Sequence, residues 1–167
     1  MSSSDRRQFL SLLLALPLVG CGFTPAYAPG GAAGTLRGRV QADAPASRDS
    51  FTFVARIEDR LGRPDAPAYR LSYQITTQRI DLAVTTSGAI LRYNITGTAI
   101  WTLSDIGTGA TLASGVAESF TGSAATRATI AAQSAEDDAR LRLMQILADQ
   151  VVTKLIAGAA GWTQAAP

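Results

Sequence analysis

The residues of this chain that could do chemistry are chiefly carboxylates, arginines and one thiol. Its 167 residues include no histidine, and Cys21 is the only cysteine. Without histidine there is no Ser-His-Asp or Cys-His nucleophile, no His-based zinc site and no usual general base. A carboxylate pair is the remaining acid–base option, and Glu136-Asp137-Asp138 is the only acidic cluster. The three lie in a strongly helical stretch, where successive side chains point about 100° apart and do not converge on one substrate. A solvated helix face is the expectation, and with it a protein that is not an enzyme and has no catalytic residue, metal or cofactor. A carboxylate hydrolase, the remaining catalytic alternative, would depend on Glu136 or Asp137.

The thiol has a more definite context. Arg6 and Arg7 precede an apolar run from Phe9 to Leu16, followed by small residues, the order of an export signal. The run is too short for a permanent span, which needs about 20 residues to cross roughly 30 Å of hydrocarbon. Leu18-Val19-Gly20-Cys21 resembles the lipobox of bacterial lipoproteins, whose cysteine is acylated and becomes the first mature residue. The alternative is an ordinary signal peptide with a cysteine nearby by chance. Each buried methylene is worth about 0.8 kcal/mol, so two or three acyl chains hold a protein stably on a membrane. Asp5-Arg6-Arg7-Gln8-Phe9-Leu10 suits twin-arginine and general secretion alike. Gly22 stands where an aspartate often signals inner-membrane retention, which favours the outer membrane. The expected organisation is a signal peptide over 1–20, a lipidated flexible leash over 21–34, one domain over 35–158 and a disordered tail over 159–167.

Loss of Arg6, Arg7 and Asp5 from totals of 15 basic and 13 acidic residues leaves 13 and 12. A net charge near +1 makes no field strong enough to gather nucleic acid. All the mature basic residues except Lys154 are arginines, which can grip phosphate or carboxylate through two bonds.

The elements that must position these groups follow from periodicity. Alternation from Leu36 to Ala42 predicts a short strand. Asp49 or Ser50 then caps a helix with Phe51, Val54, Ile57 and Leu61 on its stripe, stopped by Gly62. From Tyr69 to Val84 the period is two, but the apolar positions change from odd to even, which predicts a bulge near Thr77-Gln78-Arg79. Thr86-Ser87-Gly88 turns the chain. Leu91, Tyr93, Ile95, Ala99, Trp101 and Leu103 share one face of the return strand, and Arg92, Asn94, Thr96, Thr98 and Thr102 the other. Asp105 to Gly109 is a turn and Thr111 to Phe120 a last strand. A long helix begins between Ala125 and Ala132 and ends near Ala157, with Ala135, Ala139, Leu143, Ile146, Leu147, Val151 and Leu155 inward and Gly158 as its stop. The fold class is α+β: a four-stranded, mostly antiparallel sheet with two helices on one face, in the order β-α-β-β-β-α.

This order behind Cys21-Gly22-Phe23-Thr24-Pro25-Ala26-Tyr27 resembles the lipopolysaccharide-assembly lipoproteins of the LptE family. Arg48 to Gly62 resembles their first helix and Leu91-Arg92-Tyr93 their third strand. Ala135 to Leu155, with Asp138-Ala139-Arg140 and Leu147-Ala148-Asp149-Gln150, resembles their last helix. The resemblance implies an outer-membrane lipoprotein on the periplasmic side, acylated at Cys21, that plugs the β-barrel LptD and helps deliver lipopolysaccharide to the outer leaflet. Lipopolysaccharide contact is then expected at Arg79, Arg92 and Arg127, which flank the hairpin and the start of the long helix. A periplasmic auxiliary lipoprotein of a lipid-transporting ABC system would share the anchor and a small α/β body.

Overall fold

The computed structural model of the chain describes residues 31–84, 90–124 and 129–162. Their order is α1 (Ala32–Leu36), β1 (Val40–Ala42), α2 (Arg48–Leu61), β2 (Tyr69–Val84), β3 (Ile90–Asp105), β4 (Thr111–Ala124) and α3 (Thr129–Trp162). The strands make one sheet in sequence order, with β1 parallel to β2 and the other neighbours antiparallel. The fold class is thus α+β with a mostly antiparallel sheet, as the patterning predicts, but with three helices rather than two among the described residues.

The additional helix is α1. Its residues fall partly in the predicted leash and partly in the predicted first strand. Ala33 and Leu36 belong to the buried core, so this short apolar segment is packed rather than loose. Gly38, at φ +67°, turns the chain from α1 into β1, a left-handed conformation that favours glycine. Only Val40–Ala42 remain as strand.

The second helix is capped by Ser47 rather than by Asp49 or Ser50. The Ser47 hydroxyl accepts from the Ser50 N–H at 3.1 Å, and the Ser50 hydroxyl accepts from the Ser47 N–H at 2.8 Å, a reciprocal capping box. Its buried residues are Ser50, Phe53, Val54, Ile57 and Leu61. Phe51, placed on the stripe by periodicity, faces out at 65% exposure, and Phe53 fills the core in its place. Gly62 ends the helix at φ +82°.

Inner positions of the sheet are the odd residues of β2, β3 and β4, as in the rows Leu71–Leu103–Ala113 and Ile75–Ala99–Ala117. Two glycines on this face set how closely side chains can approach. A Cβ on Gly97 would lie 3.0 Å from methyls of both Leu143 and Leu147, so α3 is seated where β3 has no side chain. A Cβ on Gly115 would lie 2.9 Å from the Trp101 indole. Between this face and the two other helices α3 buries Ala139, Leu143, Met144, Leu147, Ala148, Val151, Val152, Leu155, Ile156 and Ala159, whereas Ile146 from the predicted stripe is exposed.

Two boundaries differ for tertiary reasons. Gly158 does not stop α3, which continues to Trp162 and takes in the first residues of the predicted tail. Ala159 is buried and the Trp162 ring closes over Gly158, where a Cβ would come within 2.8 Å of it; that packing outweighs the glycine's helix penalty of about 1 kcal/mol. The predicted bulge at Thr77-Gln78-Arg79 lies farther along, where the register shifts between Asp81 and Val84. The strand alternates straight through the parity change, so Ile80 and Leu82 emerge on the outer face at 41% and 58% exposure. Thr77, Arg79 and Asp81 take the inner positions opposite Gly97, Ile95 and Tyr93. The predicted turn at Thr86-Ser87-Gly88 lies outside the described residues.

The two larger helices are also joined by charge. Asp149 accepts from Arg56 Nε and Nη2, each at 3.0 Å, and from Arg60 Nη1 at 3.0 Å. The hydrogen bond to Asp149, then its charge, raises the Arg56 guanidinium above its ordinary range. No helix among the described residues is long and apolar enough to cross a membrane.

Candidate functional site

The inner face changes character toward the β2–β3 hairpin. Apolar packing of α3 against β3 and β4 reaches Ala139, whose carbonyl accepts from the buried Thr121 hydroxyl at 2.9 Å. One turn earlier, α3 presents Glu136 to two arginines. Arg140 donates to it through Nε at 3.3 Å and Nη2 at 3.1 Å, and Arg79 Nη1 donates at 3.3 Å. Arg140 Nη1 also reaches Thr77 Oγ1 at 3.3 Å and Asp49 at 3.4 Å, so one guanidinium joins α2, β2 and α3. Arg79 Nε donates to Asp81 at 3.1 Å, and its guanidinium lies 3.8 Å from the centre of the Tyr93 ring.

Of the three arginines expected to meet lipopolysaccharide, the structure brings two to this hairpin and treats them differently. Arg79 is consumed by Glu136, Asp81 and Tyr93. Arg92, paired across the ladder with Ala83, is exposed and forms no ion pair among the described residues. It lines a cleft of about 340 Å³ with Leu82, Tyr93, Asn94, Gly122 and Ser123. Arg127, Cys21 and the lipobox residues Leu18, Val19 and Gly20 lie outside the described residues.

The acidic cluster separates as its spacing dictates. Glu136 pairs with Arg79 and Arg140, Asp137 with Arg48 at 3.3 Å, and Asp138 with Arg142 at 3.2 Å. No group of three or more metal-ligating side chains occurs among the described residues. The sequence reading missed Arg140 as the hub of this cluster. Its signal was present as Glu136 four residues earlier on a helix, but Asp49 and Thr77 are brought in only by the fold.

Among the described residues, no helix covers the opposite, outer sheet face. Ser72, Gln74, Thr76 and Gln78 from β2 lie beside Thr102, Ile100, Thr98 and Thr96 from β3. The sheet is thus helix-covered on its inner face, while its outer face mixes these polar rows with exposed Ile80, Leu82, Ile100, Val116 and Phe120, and Arg92 with its cleft lies at one end. The fold recurs in solved structures: a candidate lipoprotein from Caulobacter crescentus CB15 superposes with TM-score 0.65 at 22% identity, covering 78% of this chain and 96% of that one. The rare lipoprotein B from Shewanella oneidensis gives TM-score 0.59 at 11% identity, over 75% and 97% of the two chains. Lipoprotein B from Nitrosomonas europaea gives 0.56 at 14%, over 73% and 83%. No curated protein sequence matches. The family described as LptE, lipopolysaccharide-assembly, matches residues 35–155. The chain belongs to the LptE family, and its general role is lipopolysaccharide assembly.

Proposed function

We propose that this chain is an outer-membrane lipoprotein, held on the periplasmic side by acyl chains on Cys21, whose body plugs an LptD-type β-barrel. There it helps the barrel assemble and lipopolysaccharide reach the outer leaflet, and it performs no catalysis itself. The observation that carries this reading is the sheet face that none of the described helices covers. Barrel lumens are polar and wet. A body seated in one should present hydroxyls and amides in quantity, and the outer rows of β2 and β3 from Ser72 to Gln78 and Asn94 to Thr102 do so, although Ile100 within them, Ile80 and Leu82 further along β2, and Val116 and Phe120 on β4 are exposed apolar residues of the same face.

Lipopolysaccharide contact is assigned to Arg92 and its cleft in preference to Arg79. A phosphate would have to displace two carboxylates and an aromatic ring to engage Arg79, whereas Arg92 faces solvent beside Leu82 and Tyr93. Detergent pull-down of the full-length lipoprotein from outer membranes tests the main reading. A co-purifying heat-modifiable barrel is expected. Recovery of an inner-membrane transporter in its place would favour the ABC-auxiliary alternative. For the ligand, Arg92→Ala should weaken binding of purified lipopolysaccharide about tenfold, as expected for one charge-assisted hydrogen bond. Equal binding by Arg92→Ala and the parent would remove that assignment.

A further inference from the structure

We propose that the open edge of β2, from Ile75 to Arg79, accepts an extended polar strand of another chain and becomes an inner strand of a five-stranded sheet. On the reading above, which this inference extends, the strand comes from the barrel partner.

The hydrogen-bonding direction along β2 is fixed at its start. Tyr69 N–H donates to the Arg39 carbonyl at 3.0 Å, and the Leu71 carbonyl accepts from Asp43 N–H at 2.9 Å. Odd positions therefore point their backbone groups toward β1, and even positions toward β3. But β1 pairs only with Tyr69, Arg70 and Leu71. The ladder with β3 runs on unbroken through Gln74, Thr76 and Gln78 to Asp81. By strict alternation, Ile75, Thr77 and Arg79 each direct one N–H and one carbonyl past the sheet's edge. Among the described residues, nothing bonds to any of these groups.

The other edge of the same sheet shows what closure looks like. On β4 the even positions point outward, and α3 covers them: Gln150 Nε2 donates to the Glu118 carbonyl at 3.1 Å and Lys154 Nζ to the Val116 carbonyl. Exposed edges template strand addition, and proteins blunt them with covering groups, lysine, proline or bulges. From Ile75 to Gln78 the β2 edge has no covering group, lysine, proline or bulge among the described residues; the inward charge of Arg79 closes that stretch, and the irregularity begins only after Asp81.

The edge itself defines its occupant. Donor and acceptor recur every second residue, about 6.8 Å apart, a spacing that an extended backbone matches and a sugar, phosphate or acyl chain does not. Its flanks are Gln74, Thr76 and Gln78 on one face and Ile75, Thr77 and Arg79 on the other, so the arriving strand is mainly polar. Arg79 is already neutralised by Asp81 and Glu136, which removes any call for an acidic ligand. The wall of a closed barrel has no free edge to offer. A loop or terminal segment of the barrel protein, entering the lumen, is the fitting donor.

The test uses the full-length lipoprotein co-expressed with its outer-membrane barrel and purified in detergent. Thr77→Pro deletes one outward N–H without touching the β3 ladder. Thr77→Val controls for loss of the hydroxyl that Arg140 binds, and Glu118→Pro places the same lesion on the closed edge. Thermal melts establish that each variant is folded. Thr77→Pro should recover about tenfold less barrel than the parent, while the two controls recover parental amounts. Hydrogen exchange is read in parallel on the peptide spanning 74–82. Its even amides are protected in the free protein, so added protection in the complex reports the odd ones. Parental recovery with Thr77→Pro, together with unchanged exchange, overturns the inference and leaves the barrel reading standing. A parent that recovers no barrel overturns both. Protection that appears on concentrating the lipoprotein alone assigns the edge to a second copy and also overturns the proposal.

Discussion

The two ends of the sheet are held to α3 by different forces. At the end containing Leu71, Leu103 and Leu155 the contact is dry and apolar, and these residues are fully buried. At the hairpin end, beyond Ala139, the contact is made by Arg79, Arg140, Glu136 and Asp49, all partly open to water. Apolar burial is worth about 25 cal/mol per Å² and is not screened by salt, whereas half-exposed ion pairs are individually weak and screened. The first end therefore fixes the fold, and the second sets the orientation of the hairpin. At that end Arg92, on the outer side of β3 opposite Ala83, has no ion-pair partner among the described residues, whereas Arg79 on the inner side is fully paired.

The largest effect expected from this division is at the apolar end. Leu143→Ala, which removes a buried side chain packed over Gly97, should cost about 3 kcal/mol. Chemical denaturation should show a lowered midpoint with an unchanged slope. A loss no larger than that of an exposed site would erase the distinction between the ends. Glu136→Gln comes next. It removes the shared partner of Arg79 and Arg140 and should lower the melting temperature by much less. That loss should vanish at about 1 M salt, where the screening length falls to about 3 Å. A deficit that persists at high salt would mean the hairpin is held by packing after all.

The smallest effect is a pH dependence. Asp105, at the β3–β4 turn, accepts from the Thr108 N–H at 2.8 Å and from its hydroxyl at 3.0 Å. These bonds, the backbone one foremost, hold its carboxyl below the usual carboxylate range. Its contribution is complete above the unfolded value of about 3.9 and is lost as pH falls through the lower folded value. Stability of Asp105→Asn should therefore fall less steeply than the parent's in strong acid. Parallel acid limbs would show that the turn does not couple to folding.

Strands and helices with one clean period were legible because burial on a single face writes that period into the chain. β3 is the plainest case: its odd residues from Tyr93 to Leu103 are inward, as alternation demanded. Family membership was legible in the order of elements, since a short strand, helix, three strands and long helix is a topological pattern and does not require high identity. Where the pattern was mixed, position in the fold decided. Alternation alone could not say whether Ile80 and Leu82 were inside with a bulge or outside without one. The straight ladder through Gln78 put them outside and gave Arg79 the inner place. Gly158 marks a helix end locally, yet burial of Ala159 and Trp162 carries the helix past it. Which arginines are paired was likewise undecided, because ion pairs joining residues such as Arg140 and Asp49 form only after distant elements meet. Local periodicity records which face is dry; it does not record which charges the tertiary fold will bring within reach of one another.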